Sequence, residues 1–152
     1  MTQTGDLQFE STELSSGFLL WQVTMAWQRS IKKELDKLDI TYTQFVLLTT
    51  LDSLLLQTNI VSQIDIANHS YTDRMMVSKV LRTLEEKKMI QRKDHPTDTR
   101  AKIINLSPFG KESLEKAIIV VKEVDNAFFS VLGPYKGVLD LNMKSLWENT
   151  ME

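Results

Sequence analysis

The run from Ser62 to Leu106 constrains this chain more than any other part of it. Ser62-x-x-Asp65 has the form of a capping box, in which a hydroxyl and an acid satisfy the backbone N–H groups that a helix start leaves unpaired. It predicts a short helix to about His69, which Ser70-Tyr71-Thr72 interrupts. From Thr72 or Asp73 to about Lys88 a second helix is expected, with Val77, Val80, Leu81 and Leu84 on one face and Arg74, Ser78, Lys79 and Arg82 on the other. Ile90–Lys93 and Lys102–Leu106 are short enough for strands. The Pro96-containing connection supports a hairpin, although its eight residues exceed the tightest turns. Short helix, tight turn, second helix with a basic outer face, then a hairpin wing over about 90–106: this is the winged helix-turn-helix arrangement.

The flanking segments read as long helices. From Leu14 to Leu38, Trp27, Ile31, Leu35 and Leu38 form one apolar stripe and Phe18, Trp21 and Met25 a second, so this helix needs two partners. Thr41-x-x-Gln44 is another capping box and predicts a helix from Tyr42 to about Leu55, with Phe45, Leu48 and Leu51 or Leu55 turned inward. Ser107 can cap a helix with Pro108 at its first position, where a missing N–H costs least. That helix is expected to run to about Leu132, where Gly133-Pro134 stops it and starts a last helix to about Asn149. Its apolar residues, Leu114, Ala117, Ile118, Ile119, Val120, Val121, Val124, Phe128 and Phe129, exceed one stripe, and Val138, Leu139, Leu141, Leu146 and Trp147 follow on the last helix. Apolar surface this wide usually marks an interaction surface. The expectation is one mainly α domain over 1–152 with a small β-hairpin wing. In it, 41–107 form the winged lobe, while 10–40 and 108–150 supply dimerisation helices. The alternative is that these faces pack on one another within one chain.

Charge is unevenly placed. The chain has a formal net charge of −2, yet residues 74–102 carry nine basic and four acidic side chains. An acidic protein therefore contains one basic block, and that block spans the second helix and the hairpin. There is no cysteine, which removes disulfides, thiolate metal sites, nucleophilic-cysteine chemistry and thiol redox sensing. No window approaches ~18 uninterrupted apolar residues, and MTQTGDLQFE lacks the basic start and apolar stretch of a secretion signal, so a cytoplasmic protein without membrane partners is expected. His69 and His95 make a poor ligand set without cysteine, although Asp94 and Asp98 lie near the latter. Nothing resembles a nucleophile elbow, a phosphate loop or a histidine–glutamate zinc motif, so neither an enzyme nor a metal or cofactor is expected.

The run "SQIDIANHSYTDRMMVSKVLRTLEEKKMIQR" followed by "DHPTDTRAKIINLSPFGKESL" resembles the winged helix-turn-helix of the MarR family of bacterial transcriptional regulators. The most specific element is Asp98-Thr99-Arg100-Ala101, followed by a strand, Leu106-Ser107 and Gly110. The resemblance is strong from about Thr41 to Leu114. It implies a homodimer with two wings on pseudo-palindromic operator DNA, a repressor in the commonest case. By position it implies that Arg74, Met75, Met76, Ser78 and Lys79 front the helix that lies in the major groove. Arg100 matches the wing-tip arginine that enters the minor groove, and Asp98 the acid that orients it.

Elementary physics agrees with these roles. A planar guanidinium suits the negative potential of a narrow minor groove, and a carboxylate two residues away can hold that side chain. As an isolated exposed ion pair the two would contribute only ~0–1 kcal/mol. Ser62 and Thr72, at helix starts, are further candidates for phosphate contact through backbone N–H groups. Arg82, Lys87, Lys88, Arg92, Lys93 and Lys102 are candidates through their charges. Met75 and Met76 can contact a thymine methyl but offer little hydrogen-bond reading, so no operator sequence follows. The resemblance also implies a small-molecule effector site between the dimerisation helices and the lobe, for which Trp21, Met25 and Trp27 are candidate lining; core or interface packing is the competing reading. Two other functions fit the same segments: a winged-helix module that docks on an acidic protein, and the dimerisation domain of an enzyme that lacks its catalytic half.

Overall fold

In the computed structural model, which describes residues 15–151, the five α-helices before the last each start at a side-chain cap. α1 (Ser16–Leu35) is capped by the Ser15 hydroxyl and ends in a 3-10 turn, Asp36–Leu38, closed by Asp39 at φ 53°. Residues 10–14, expected in this helix, lie outside the described residues. α2 (Tyr42–Leu55) has the full Thr41/Gln44 capping box. α3 (Gln63–Ser70) has the Ser62/Asp65 box, and α4 (Arg74–Glu86) is capped by Asp73. Hence Asp73, not Thr72, begins the second helix of the motif. Antiparallel strands β1 (Ile90–Asp94) and β2 (Lys102–Leu106) pair from Ile90 with Leu106 to Asp94 with Lys102. α5 (Pro108–Phe129) starts at Ser107 and stops three residues before the expected Leu132, because a 3-10 turn spans Ser130–Tyr135. Gly133, at φ 49° and ψ −124°, makes the kink there, a conformation open to glycine. α6 (Lys136–Asn149) completes the chain.

One hydrophobic core forms where α2, α3, α4, the hairpin and parts of α1 and α5 meet. α2 contributes Leu47, Leu48, Leu51 and Leu54 and α4 contributes Val77, Leu81 and Leu84, while Ile31, Leu35, Ile104, Leu114 and Ala117 close it. Leu48 and Leu51 of α2 face inward as expected and are joined by Leu47 and Leu54, while Phe45 and Leu55 are only partly buried. α2 packs on α3, α4, α5 and β2, so its apolar residues spread over a wide face and leave Tyr42, Thr49 and Ser53 to solvent.

The hairpin is fastened to the rest of the lobe along β2 and at its base. Val61 O accepts from Ile104 N at 2.8 Å, and Ser62 forms an isolated bridge with Ile103, so the two residues before α3 hold the middle of β2. At the base the buried Ser107 hydroxyl donates to Lys88 O at 2.6 Å and accepts from Gly110 N at 2.9 Å. A Cβ on Gly110 would sit 1.9 Å from Met89 O, so only glycine lets α5 begin this close to the β1 strand. The Leu-Ser and Gly elements of the sequence motif are thus structural fasteners.

Candidate nucleic-acid interface

The turn between α3 and α4 is made without glycine. Tyr71 takes the left-handed conformation at φ 51° and its N–H donates to Asn68 O, while Thr72 N donates to Ala67 O at 3.1 Å. Thr72 is half-buried and its hydroxyl donates to Ser70 O at 3.1 Å. The Asp73 carboxylate then accepts from Met75 N and Met76 N at 2.9 and 3.0 Å. Ser62 is similarly committed, its N–H and hydroxyl both donating to Asp65 at 2.8 and 2.7 Å. The N–H groups of Ser62 and Thr72, the two expected to meet phosphates, are therefore already paired within the protein, with Asp65 and with Ala67 O.

With Val77, Leu81 and Leu84 fully buried, α4 turns Arg74, Met75, Met76, Lys79 and Arg82 to solvent and leaves Ser78 half-buried. Met75 is 82% exposed, which places an uncommitted apolar side chain at the front of the helix.

The nine cations of residues 74–102 divide into two groups. Lys87 donates to Asp39 O at 2.6 Å and to the buried Gln44 Oε1 at 3.3 Å, tying the end of α4 to the start of α2. Arg92 pairs with Glu85 at 2.5 Å and fixes the wing base to α4. Lys102 pairs across the hairpin with Asp94, and that contact holds the Asp94 carboxyl below its ordinary range. Lys87, Arg92 and Lys102, read from sequence as phosphate candidates, are therefore first of all internal ties. Arg74, Lys79, Arg82, Lys88, Lys93 and Arg100 have no ion pair or side-chain hydrogen bond among the described residues. These six unneutralised charges lie on α4, the turn after it and the hairpin.

At the wing tip Thr97, Asp98, Thr99 and Arg100 are all exposed. Asp98 does not pair with the Arg100 guanidinium, as spacing had suggested. Its Oδ1 accepts from Arg100 N at 3.0 Å, so the contact between the two residues runs through the main chain. The spacing pointed to this pair but not to these atoms. It also missed His95, whose Nδ1 accepts from the N–H groups of Thr97 and Asp98. His69 Nδ1 contacts Asp65 O at 2.9 Å within α3, a helix-end role. No group of three or more histidines and acids gathers as a metal site among the described residues.

The candidate effector residues do not converge. Trp27 donates to Asp125 Oδ1 at 2.8 Å and packs edge-on against Tyr42 at 4.7 Å, and burial with the Asp125 charge raises the Tyr42 hydroxyl above its usual range. Trp21 packs on Phe18 instead and is 57% exposed. A groove of about 590 Å³ between α1 and α6 is lined by Trp27 with Leu20, Val23, Leu139, Met143 and Leu146, but by neither Trp21 nor Met25.

A helix-turn-helix whose second helix and following hairpin expose unpaired cations defines the chain as a winged helix-turn-helix protein. A family model for the MarR family matches residues 40–102. The HTH-type transcriptional regulator YdcH of Bacillus subtilis (strain 168), itself uncharacterised, is 42% identical over 123 residues, which is 81% of this chain and 84% of the relative. Among solved structures, a DNA complex of MepR from S. aureus superposes with a TM-score of 0.81 at 26% identity, covering 90% of this chain and 99% of that one. BpsR from Bordetella bronchiseptica, whose DNA binding is regulated by 6-hydroxynicotinic acid, superposes with a TM-score of 0.78 at 20% identity over 92% and 96%. The chain belongs to the MarR family, a non-enzymatic family of DNA-binding transcriptional regulators.

Proposed function

We propose that this chain is a homodimeric repressor that binds a pseudo-palindromic operator, with α4 of each protomer in the major groove and each wing in the adjacent minor groove. The observation that carries this reading is the set of six cations on α4, the turn after it and the hairpin that have no partner among the described residues. Exposed charges without partners add little to folding, and they suit release of counterions from a phosphate backbone. Arg74, Met75, Met76, Ser78 and Lys79 face the base edges; Arg82, Lys88 and Lys93 take phosphates; Arg100 enters the minor groove. Thr72, Arg92, Lys102 and Asp98 act by holding these elements in place.

Dimerisation follows from incompleteness. α6 buries no side chain, and Val138, Leu141, Leu146 and Trp147 remain exposed with Leu19, Leu20 and Val23 of α1. A second copy that covers these faces by two-fold symmetry would set the two α4 helices roughly one DNA turn, ~34 Å, apart. The apolar groove between α1 and α6 is the candidate effector site. A ligand there releases DNA only by preferring the spacing that the operator does not fit.

The test is a titration of duplexes from the promoter nearest the chain's own coding region, at several salt concentrations. An inverted repeat should bind far more tightly than its scrambled version, with affinity falling steeply as salt rises. Salt-dependent binding without sequence preference would instead favour an acidic protein partner.

A further inference from the structure

We infer that His95 is a positioning residue for the wing-tip arginine, and that its imidazole must be neutral to act. This rests on the proposed minor-groove role of Arg100. β1 ends at Asp94 and β2 begins at Lys102, so residues 95–101 cross between them. The crossing closes with His95 N donating to Ala101 O at 3.2 Å. Inside it, His95 Nδ1 accepts from Thr97 N at 3.2 Å and from Asp98 N at 3.0 Å. Asp98 then accepts twice: its carbonyl from Ala101 N at 3.2 Å and its carboxylate from Arg100 N at 3.0 Å. Imidazole holds Asp98, and Asp98 holds Arg100.

No apolar packing substitutes for this relay, since every residue from Pro96 to Arg100 is exposed. An exposed loop of this length is ordered chiefly by such local side-chain-to-backbone bonds. Pro96 brings no N–H of its own, which leaves Thr97 as the first donor the ring can meet. Two N–H groups pointing at one ring nitrogen require that nitrogen to carry a lone pair, so the ring is neutral with its proton on Nε2. An imidazolium would set a third N–H against the other two. The charged groups that line the same surface hollow as His95 are Asp65 from α3, Asp98 and Arg100 from the crossing and Lys102 from β2, with Asp94 adjacent in sequence on β1.

Protonation therefore has two opposed effects on DNA binding. Added positive charge favours phosphate, while loss of the relay frees Arg100 to sample conformations that miss the groove. If the imidazole acts by position, the second effect wins. An asparagine side-chain oxygen can occupy the place of Nδ1 and accept the same N–H groups without titrating, which separates position from charge.

The experiment measures operator affinity for the full-length protein and for His95→Ala, His95→Asn, Arg100→Ala and the His95→Ala/Arg100→Ala double variant. Arg100→Ala should bind roughly 5- to 150-fold more weakly. His95→Ala should bind about fivefold more weakly, the scale of one net hydrogen bond, and His95→Asn should restore wild-type affinity. In the Arg100→Ala background, His95→Ala should cost nothing further, because the ring acts through the arginine. Additive losses in the double variant, or His95→Asn binding as weakly as His95→Ala, would overturn the positioning role. Unchanged affinity of Arg100→Ala would overturn the wing reading itself, a separate failure.

Discussion

The lobe formed by residues 41–107 and the terminal helices are built from similar proportions of apolar residues but use them differently. In the lobe, Leu47, Leu48, Leu51, Val77, Leu81, Leu84 and Ile104 are buried completely within one protomer. In the N-terminal half of α1 and all of α6, Leu20, Trp21, Val138, Leu141 and Leu146 stay exposed. The lobe is thus finished by its own chain, whereas the terminal helices are surfaces awaiting something else. Stability and assembly should therefore respond to different substitutions, and DNA binding should need both.

Substitution in the two regions separates them most strongly. Leu81→Ala, in the centre of the lobe, should cost about 2–5 kcal/mol of unfolding free energy by chemical denaturation. Leu141→Ala, 67% exposed on α6, should leave the protomer's own fold intact. A like cost from Leu141→Ala at protein concentrations low enough to dissociate dimers would erase the contrast. Next in size, Leu146→Asp should shift sedimentation from dimer to monomer while circular dichroism stays helical. Persistence of the dimer would assign these apolar faces to another partner.

Smaller effects probe the finished side of the comparison. Arg100→Ala should keep the fold and dimer and lose about 1–3 kcal/mol of operator binding. Asp98→Ala should weaken binding as well, although it removes a negative charge near DNA, because Arg100 N loses its acceptor. Tighter binding by that variant would mean that simple charge governs the wing. Smallest of all, Lys93→Ala should weaken binding to every duplex alike and lower the salt slope by about one.

Local signals were the legible ones. The boxes at Thr41/Gln44 and Ser62/Asp65 and the Ser107-Pro108 start placed the beginnings of three helices to the residue, because a cap is settled within one turn. What depends on distant chain was not legible. The cation Lys87 looked free until the fold brought it to Asp39, 48 residues away. The bridge from Val61 and Ser62 to β2 rests on two residues alone, too few for any periodicity. At the wing the spacing of Asp98 and Arg100 announced a partnership, but only coordinates distinguish a guanidinium from a backbone N–H. His95 was passed over for a related reason: a histidine beside acids suggests a ligand, whereas its ring serves as a turn acceptor.

The most direct measurement counts protomers on one duplex. Native mass spectrometry of the protein with an inverted repeat from its own promoter should give two protomers per duplex, and a scrambled duplex should give little complex at the same concentration. One protomer per duplex, or equal occupancy of both sequences, would contradict a regulator that reads DNA through two finished lobes joined by two unfinished surfaces.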